Sequence, residues 1–158
     1  ISRKLGSGAF GDVFSAVDTQ TQQEVAVKIE CALKDKQKQL EHEAEVLDKL
    51  QGGMGITKKL YSGANRNGRF ALVMDLCGPS LEALFNQCEK KFSVKTTLLV
   101  ADQVIQRLEW MHSRGMLHRD IKPDNFVIGA GPLSNTIHII DFGLSAPYRA
   151  EDGTHVPC

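Results

Sequence analysis

Nothing in this sequence is strongly charged, strongly apolar or rich in cysteine. Lysine plus arginine and aspartate plus glutamate both total 19, so the formal net charge is zero. That balance gives no bulk electrostatic case for nucleic acid or an anionic membrane, and any anion must be held locally. No stretch approaches the roughly 18 uninterrupted apolar residues of a membrane-spanning helix, and the N-terminal ISRKLGSG has no signal-peptide core. The four cysteines, Cys31, Cys77, Cys88 and Cys158, make no C-x-x-C pair and no metal-ligand grouping with the five histidines. A reduced intracellular setting, cytoplasmic or nuclear, is therefore expected. Repeats and low-complexity tracts are also missing, and the missing initiator methionine suggests a piece of a longer protein. What remains is ordinary: 158 residues, 42% apolar and 24% charged, enough for one sizeable core.

Glycine and proline divide the chain. Val13, Ser15 and Val17 alternate with Phe14, Ala16 and Asp18, and EVAVKIE alternates again, so both segments are predicted strands. KDKQKQLEHEAEVLDKL changes to a helical period, with Leu40, Ala44, Leu47 and Leu50 on one face, before Gly52 and Gly53 stop it. Phe70 to Asp75 is an apolar strand broken by Gly78 and Pro79, after which Ser80 can cap the helix LEALFNQC. Val94 to Ser113 is the longest predicted helix. Leu98, Ala101, Ile105 and Leu108 form its expected buried line, widened by Val100, Val104 and Met111. A polar turn at GANRNGR and a loose tail after Ala146 complete the pattern.

The chemistry concentrates in HRDIKPDNF and in HIIDFGLS just beyond it. Asp120, Lys122 and Asn125 are followed by Asp141 at the distance a short β-hairpin needs. Two carboxylates, an amide and a lysine brought together suit a magnesium nucleotide; a buried ion network of purely structural purpose is the bland alternative. His118 and Arg119 read as braces for this loop, and His42, His112 and His138 as surface or core residues. Upstream, Gly6, Gly8 and Gly11 make G-x-G-x-x-G, whose backbone can bend and aim amides at phosphate oxygens. A dinucleotide-binding fold would place an acid where Glu30 stands, but it needs a helix straight after the glycines, and DVFSAVD has a strand period. An ordinary tight turn would need fewer glycines. Lys28 lies on the next strand between Val27 and Ile29, expected to be buried. Glu43 is its best counter-charge because it shares the inward stripe with Leu40, Leu47 and Leu50, whereas Glu41 and Glu45 turn outward. Met74, Asp75, Leu76 and Cys77 form a predicted hinge, with Val13, Ala26, Val127 and Ile140 as apolar walls for a flat ring or as plain core.

Together these residues resemble the eukaryotic protein kinase family. KIE, QGGMGI, GPSLEALF, LLVADQ and HRDIKPDNF are similar to its casein kinase 1 branch, with tau-tubulin and vaccinia-related kinases as near alternatives. The resemblance covers nearly the whole chain. It implies an α+β kinase-like fold: a small antiparallel β-sheet lobe with one helix over residues 1–75, a hinge at 76–79, and a mainly helical, truncated lobe over 80–158. It implies ATP and Mg2+ as cofactors. Gly6, Ser7, Gly8, Ala9, Phe10 and Gly11 would cover the phosphates, Lys28 paired with Glu43 would hold them, and Met74 to Cys77 would meet adenine. Asn125 and Asp141 would bind the metal, Asp120 would orient the substrate hydroxyl, and Lys122 would neutralise the transferring group. Lys122 two residues after Asp120 is the serine/threonine form. The implied partners are acidic or already phosphorylated proteins with serine or threonine, met by a monomer with neither nucleic acid nor a membrane span. The chain stops within what would be the activation segment, so weak stability and little turnover are expected of this piece alone. A pseudokinase or nucleotide-binding scaffold acting through partner binding is the alternative, although Lys28, Asp120, Asn125 and Asp141 are all present.

Overall fold

The computed structural model describes residues 1–8, 11–30, 39–149 and 153–156. Ala9 and Phe10 of the glycine turn, Cys31, Cys158 and the expected start of the first helix lie outside them. The chain divides into two compact units, Ile1–Gln51 with Thr57–Leu76, and Gly52–Ile56 with Cys77–Cys158. A single cut after residue 75 therefore misses Gly52–Ile56. That segment belongs to the second unit because the Ile139 amide donates to Gly55 O at 2.9 Å and Ile56 bridges to Ile139.

The first unit is one antiparallel sheet with a helix on it. Its strands are β1 (Arg3–Gly8), β2 (Gly11–Val17), β3 (Glu24–Glu30), β4 (Lys59–Ala64) and β5 (Phe70–Asp75), in the order β1-β2-β3-β5-β4. Turn chemistry links them. Asp18 Oδ1 accepts from the amides of Gln20 and Thr21, and Asn65 Oδ1 from those of Asn67 and Arg69. Helix α1 (Gln39–Leu50) packs on β4 and β5 with Leu40, Ala44, Val46, Leu47 and Leu50 buried. Leu40, Leu50 and Leu72 are wholly buried, each contributing about 1.5–3 kcal/mol of transfer free energy. Strand β3 departs from simple alternation: Val25, Ala26, Lys28, Ile29 and Glu30 are all buried, while Val27 is only half-buried. It is the central strand of five, paired along both edges with β2 and β5.

The second unit holds α2 (Leu81–Gln87), α3 (Val94–Ser113) and two short ribbons, β6 (Met116–Leu117) with β9 (Ala146–Pro147) and β7 (Phe126–Ile128) with β8 (Ile137–Ile139). Ser80 Oγ accepts from the Ala83 amide and Ser93 Oγ from the Thr96 amide, both at 3.1 Å, so each helix starts at a side-chain cap. The inward line of α3 differs from expectation. Leu98 and Ile105 are 65% and 64% exposed and Ala101 is exposed too, whereas Arg107 is buried alongside the expected Met111. Helical period sets the angle between residues but not which neighbouring line meets the core, and here the donors of Arg107 take that place. The segment just past Ala146 is not loose either. Pro147 pairs with Met116, and Tyr148 donates its amide to Gly115 O at 2.9 Å and its hydroxyl to His112 O at 2.8 Å. Among the described residues no helix is long and apolar enough to cross a membrane.

Candidate active site

In the first unit the sheet register assembles one set of candidates. Val13 pairs with Lys28, Ala26 with Met74, and Lys28 with Leu72. Cross-strand partners project to the same side, so Val13, Ala26, Lys28 and Met74 share one face. Helix α1 brings Glu43 to it: Lys28 Nζ lies 2.6 Å from Glu43 Oε2, with the side chains 8% and 3% exposed. Glu41 and Glu45 are exposed, as helical spacing requires of residues two positions to either side. A lysine this buried keeps its charge only beside such a partner.

The glycines differ in what constrains them. A Cβ on Gly11 would overlap the Ile29 carbonyl of β3, while one on Gly6 would meet nothing within 4 Å. Gly11 is thus demanded by the neighbouring strand, and Gly6 by nothing within the described structure. Ser7 Oγ donates to Asp12 Oδ1 at 2.6 Å, and Lys4 Nζ lies 2.8 Å from the same oxygen. The Lys4 ammonium, and then Ser7, hold the Asp12 carboxyl below the usual range. Strand β2 follows the glycines directly, which removes the dinucleotide-fold reading of Glu30. Glu30 is buried, and desolvation pushes its carboxyl up.

Met74 and Asp75 end β5, Leu76 closes the first unit and Cys77 opens the second. The Asp75 amide donates to Lys58 O at 3.1 Å and Asp75 Oδ2 accepts from the Lys58 amide at 3.2 Å. Beyond Cys77, the Gly78 amide donates to Ile128 O at 2.8 Å and the Ile128 amide to Pro79 O at 3.0 Å, fixing this exit along β7. Val127 is buried and pairs with His138, so alternation puts Ile140, two residues on, on the same face of the ribbon.

The second unit draws Asp120, Lys122 and Asn125 into one hydrogen-bonded group. Asn125 Nδ2 donates to Asp120 O at 2.8 Å and to Oδ2 at 2.9 Å, and Lys122 Nζ donates to the same Oδ2 at 2.7 Å. Lys122, foremost, and then Asn125 hold the Asp120 carboxyl below its usual range, and the same contact raises Lys122. Asn125 sits in the 3-10 turn Pro123–Asn125, one residue before the strand. Its amide nitrogen is committed to Asp120, and its Oδ1 accepts nothing from the described residues.

His118 is buried behind this group. The Asp120 amide donates to Nδ1 at 3.3 Å, so the imidazole proton is on Nε2, which donates to Ile140 O at 3.0 Å. Burial lowers its pKa, opposed by that carbonyl and by Asp141 and Asp120. Phe142 packs edge-to-face on the ring at 5.6 Å. Asp141 takes the left-handed conformation, φ 66° and ψ 69°, ahead of the turn Phe142–Leu144. Arg119, also left-handed at φ 64°, donates Nε to Leu144 O at 2.6 Å. Two non-glycine residues in this region cost about 1–3 kcal/mol each and persist only where the surroundings over-determine them.

The sequence model of the protein kinase domain matches residues 1–158. The chain belongs to the protein kinase domain family. As a kinase domain it is a phosphotransferase whose substrates are proteins, and the expected α+β architecture, with its antiparallel sheet and helical second unit, is the one found.

Two residues of this kinase domain escape the sequence motifs. Arg107 is 1% exposed; its Nε donates to Ile137 O at 2.9 Å and its Nη2 to Gln103 Oε1 at 3.0 Å. Gln103 also accepts from the Ile137 amide at 2.8 Å and donates to Asn135 O at 3.0 Å. The only sequence signal was a polar pair spaced by four residues in a helix that also carries Asp102, Gln106 and Glu109, and such a pair reads more readily as its solvent side.

Proposed function

We propose that the chain is the nucleotide- and metal-holding part of a serine/threonine protein kinase of casein kinase 1 type, using ATP and Mg2+. The observation that carries this reading is the group around Asp120. Asn125 is pinned by its nitrogen, which leaves its side-chain oxygen available, and the Ile140 amide, one residue before Asp141, bonds Asn125 O across the ribbon. Oxygen donors of this kind suit a hard divalent cation, so Asn125 and Asp141 fit Mg2+. Bound Mg-ATP would supply the phosphoryl group and the cation that offsets its charge.

The chain's own residues then have separate tasks. Asp120 orients the substrate hydroxyl and takes its proton at a carboxylate oxygen, with a pKa low enough to stay ionised. Lys122, raised by Asp120, offsets charge on the transferring group. Lys28, held by Glu43, suits the α- and β-phosphates, and the turn of Gly6, Ser7, Gly8, Ala9, Phe10 and Gly11 offers backbone amides. Met74, Asp75, Leu76 and Cys77 would meet adenine, with Val13, Ala26, Val127 and Ile140 against its ring. Lys122 two residues beyond Asp120 supports serine/threonine specificity, and the KIE, QGGMGI and GPSLEALF segments support the casein kinase 1 branch. An intracellular monomer acting on acidic or phosphorylated proteins completes the proposal.

The deciding experiment is Mg-ATP-dependent phosphate transfer to an acidic serine/threonine protein, comparing this chain, the product of its full reading frame and an Asp120→Asn variant. Transfer that disappears with Asp120→Asn supports the reading. No transfer by either folded wild-type protein sinks it and moves the function to partner binding.

A further inference from the structure

Among the described residues strand β8 has a strand, β7, along one edge only, and on the other edge Ile56 makes a single bridge to Ile139. Along β7 its even-numbered neighbours are paired: Val127 faces His138, and beyond the strand ends the Gly129 amide donates to Thr136 O at 2.8 Å and the Ile140 amide to Asn125 O at 3.0 Å. The odd-numbered groups point the other way, where a third strand would normally lie.

Side chains stand in for that strand. Gln103 presents a primary amide that matches a peptide unit, donating Nε2 to Asn135 O at 3.0 Å and accepting at Oε1 from the Ile137 amide at 2.8 Å. One turn later on α3, Arg107 Nε donates to Ile137 O at 2.9 Å. Gly55 O then accepts from the Ile139 amide at 2.9 Å. Every outward group from Asn135 O to Ile139 N is thereby satisfied. Arg107 and Gln103 also bond each other at 3.0 Å, which locks both side chains into one arrangement. Gly55 has φ +74°, and a Cβ there would overlap both the Arg107 side chain and Ile137 O, so the residue leaves room for the guanidinium.

The arrangement is costly unless it holds something. A guanidinium at 1% exposure has no carboxylate within ion-pair distance among the described residues; its other bond is Nη1 to Gln106 Oε1 at 3.3 Å. Asp102, an acid whose charge acts on it, is linked to it through Gln106, whose Nε2 donates to Asp102 Oδ2 at 2.9 Å. Two residues after Ile139 stands Asp141 in its left-handed conformation. A strained backbone is kept only when the chain leading into it cannot shift.

The geometry points to Gln103 and Arg107 as positioning residues for Asp141: together they form a side-chain substitute for a third strand that fixes the register of β8 and so the place of the carboxylate. This rests on the kinase reading above, in which Asp141 binds Mg2+. A one-residue slip of β8 would turn its side chains to the opposite face and move Asp141 by about 3.3 Å.

The test uses the product of the full reading frame, with Gln103→Leu, Arg107→Met, Arg107→Lys and, as a control that loses only an outer bond, Gln106→Ala. Three quantities are read: amide hydrogen exchange at Ile137, Ile139 and Asp141; ATP binding without Mg2+; and the Mg2+ concentration that half-saturates the tightening of ATP binding. The expected result for Gln103→Leu and Arg107→Met is faster exchange at all three amides and an about tenfold weaker Mg2+ dependence, the size typical of lost outer support to a metal site. Metal-free ATP binding should hold, Arg107→Lys should recover part of the loss through its single donor, and Gln106→Ala should match wild type. Faster exchange at Ile137 with unchanged Mg2+ dependence would overturn the proposal. If wild type shows no Mg2+-dependent ATP binding, the functional reading has failed instead, and the exchange data judge the clamp alone: acceleration reaching Asp141 supports it, and acceleration confined to Ile137 and Ile139 overturns it. Should Arg107→Met fail to fold, Gln103→Leu carries the same comparison.

Discussion

The Lys28 ammonium meets the Glu43 carboxylate at 2.6 Å with both side chains almost wholly removed from water. Neither charge has an alternative in solvent. Glu43→Gln should therefore cost about 3–5 kcal/mol, because it leaves a buried charge without its counter-charge, whereas replacing both residues by apolar ones of similar size should recover most of that loss. Urea unfolding of the single variants Lys28→Met and Glu43→Gln and of the pair Lys28→Met/Glu43→Leu checks this. Equal destabilisation of the pair and the singles would show that volume, not charge, dominates. On the proposed function, all of them lose phosphate transfer.

His118 links stability to pH. Its folded pKa lies below the ordinary imidazole value, chiefly through burial. Between the folded pKa and about 6.5 the unfolded chain binds more protons, so stability rises with pH across that window. The contribution is fully present above the unfolded value, falls as pH drops below about 6.5 and levels off below the folded pKa. Imidazole nitrogen and carbon shifts measured from pH 4 to 8 should give a neutral Nε2–H tautomer at pH 7 and a midpoint below that of a model histidine. A midpoint above it would contradict the burial argument.

On the proposed function, Lys122 sets the acid side of activity. Its ammonium is the leading cause of the low Asp120 pKa. In Lys122→Met that carboxyl should titrate closer to its ordinary value, so the acid limb of kcat/KM against pH moves upward. An unmoved acid limb would mean that another group controls it. Asn125 remains bonded to Asp120 in this variant and should keep the shift partial.

Gly6 and Gly11 belong to one motif but should fail differently. Gly11→Ala forces a methyl group onto the Ile29 carbonyl of β3, so it should lower the unfolding midpoint in the absence of nucleotide. Gly6→Ala finds open space and should leave the stability within about 0.5 kcal/mol of wild type. If Gly6 serves bound phosphates, only its ATP affinity should fall. Thermal scans with and without ATP separate the two.

Much of the candidate site was legible because its signals are local. The period of α1 singled out Glu43 from Glu41 and Glu45, since a helix that buries Leu40, Leu47 and Leu50 must also turn Glu43 inward. Two-residue alternation after the glycines excluded a helix there, and the spacing from Asn125 to Asp141 foretold the β7–β8 ribbon. The same reasoning mistook the face of α3. Leu98 and Ile105 satisfy a helical period as well as Val104 and Met111 do, and the arginine between them reads as solvent-facing until its partners are known.

Residue type and spacing along the chain determined which groups could do chemistry, because hydrogen-bonding capacity, charge and helix or strand period are properties of a few neighbouring residues. Their final assignments depended on contacts far apart in sequence. Arg107 turns inward for a carbonyl 30 residues away, Gly11 is required by a carbonyl on the adjacent strand, and the His118 Nε2 proton finds its acceptor in a carbonyl 22 residues on. Those decisions belong to the tertiary structure, since a buried polar group takes its orientation from whichever partner the fold brings within reach.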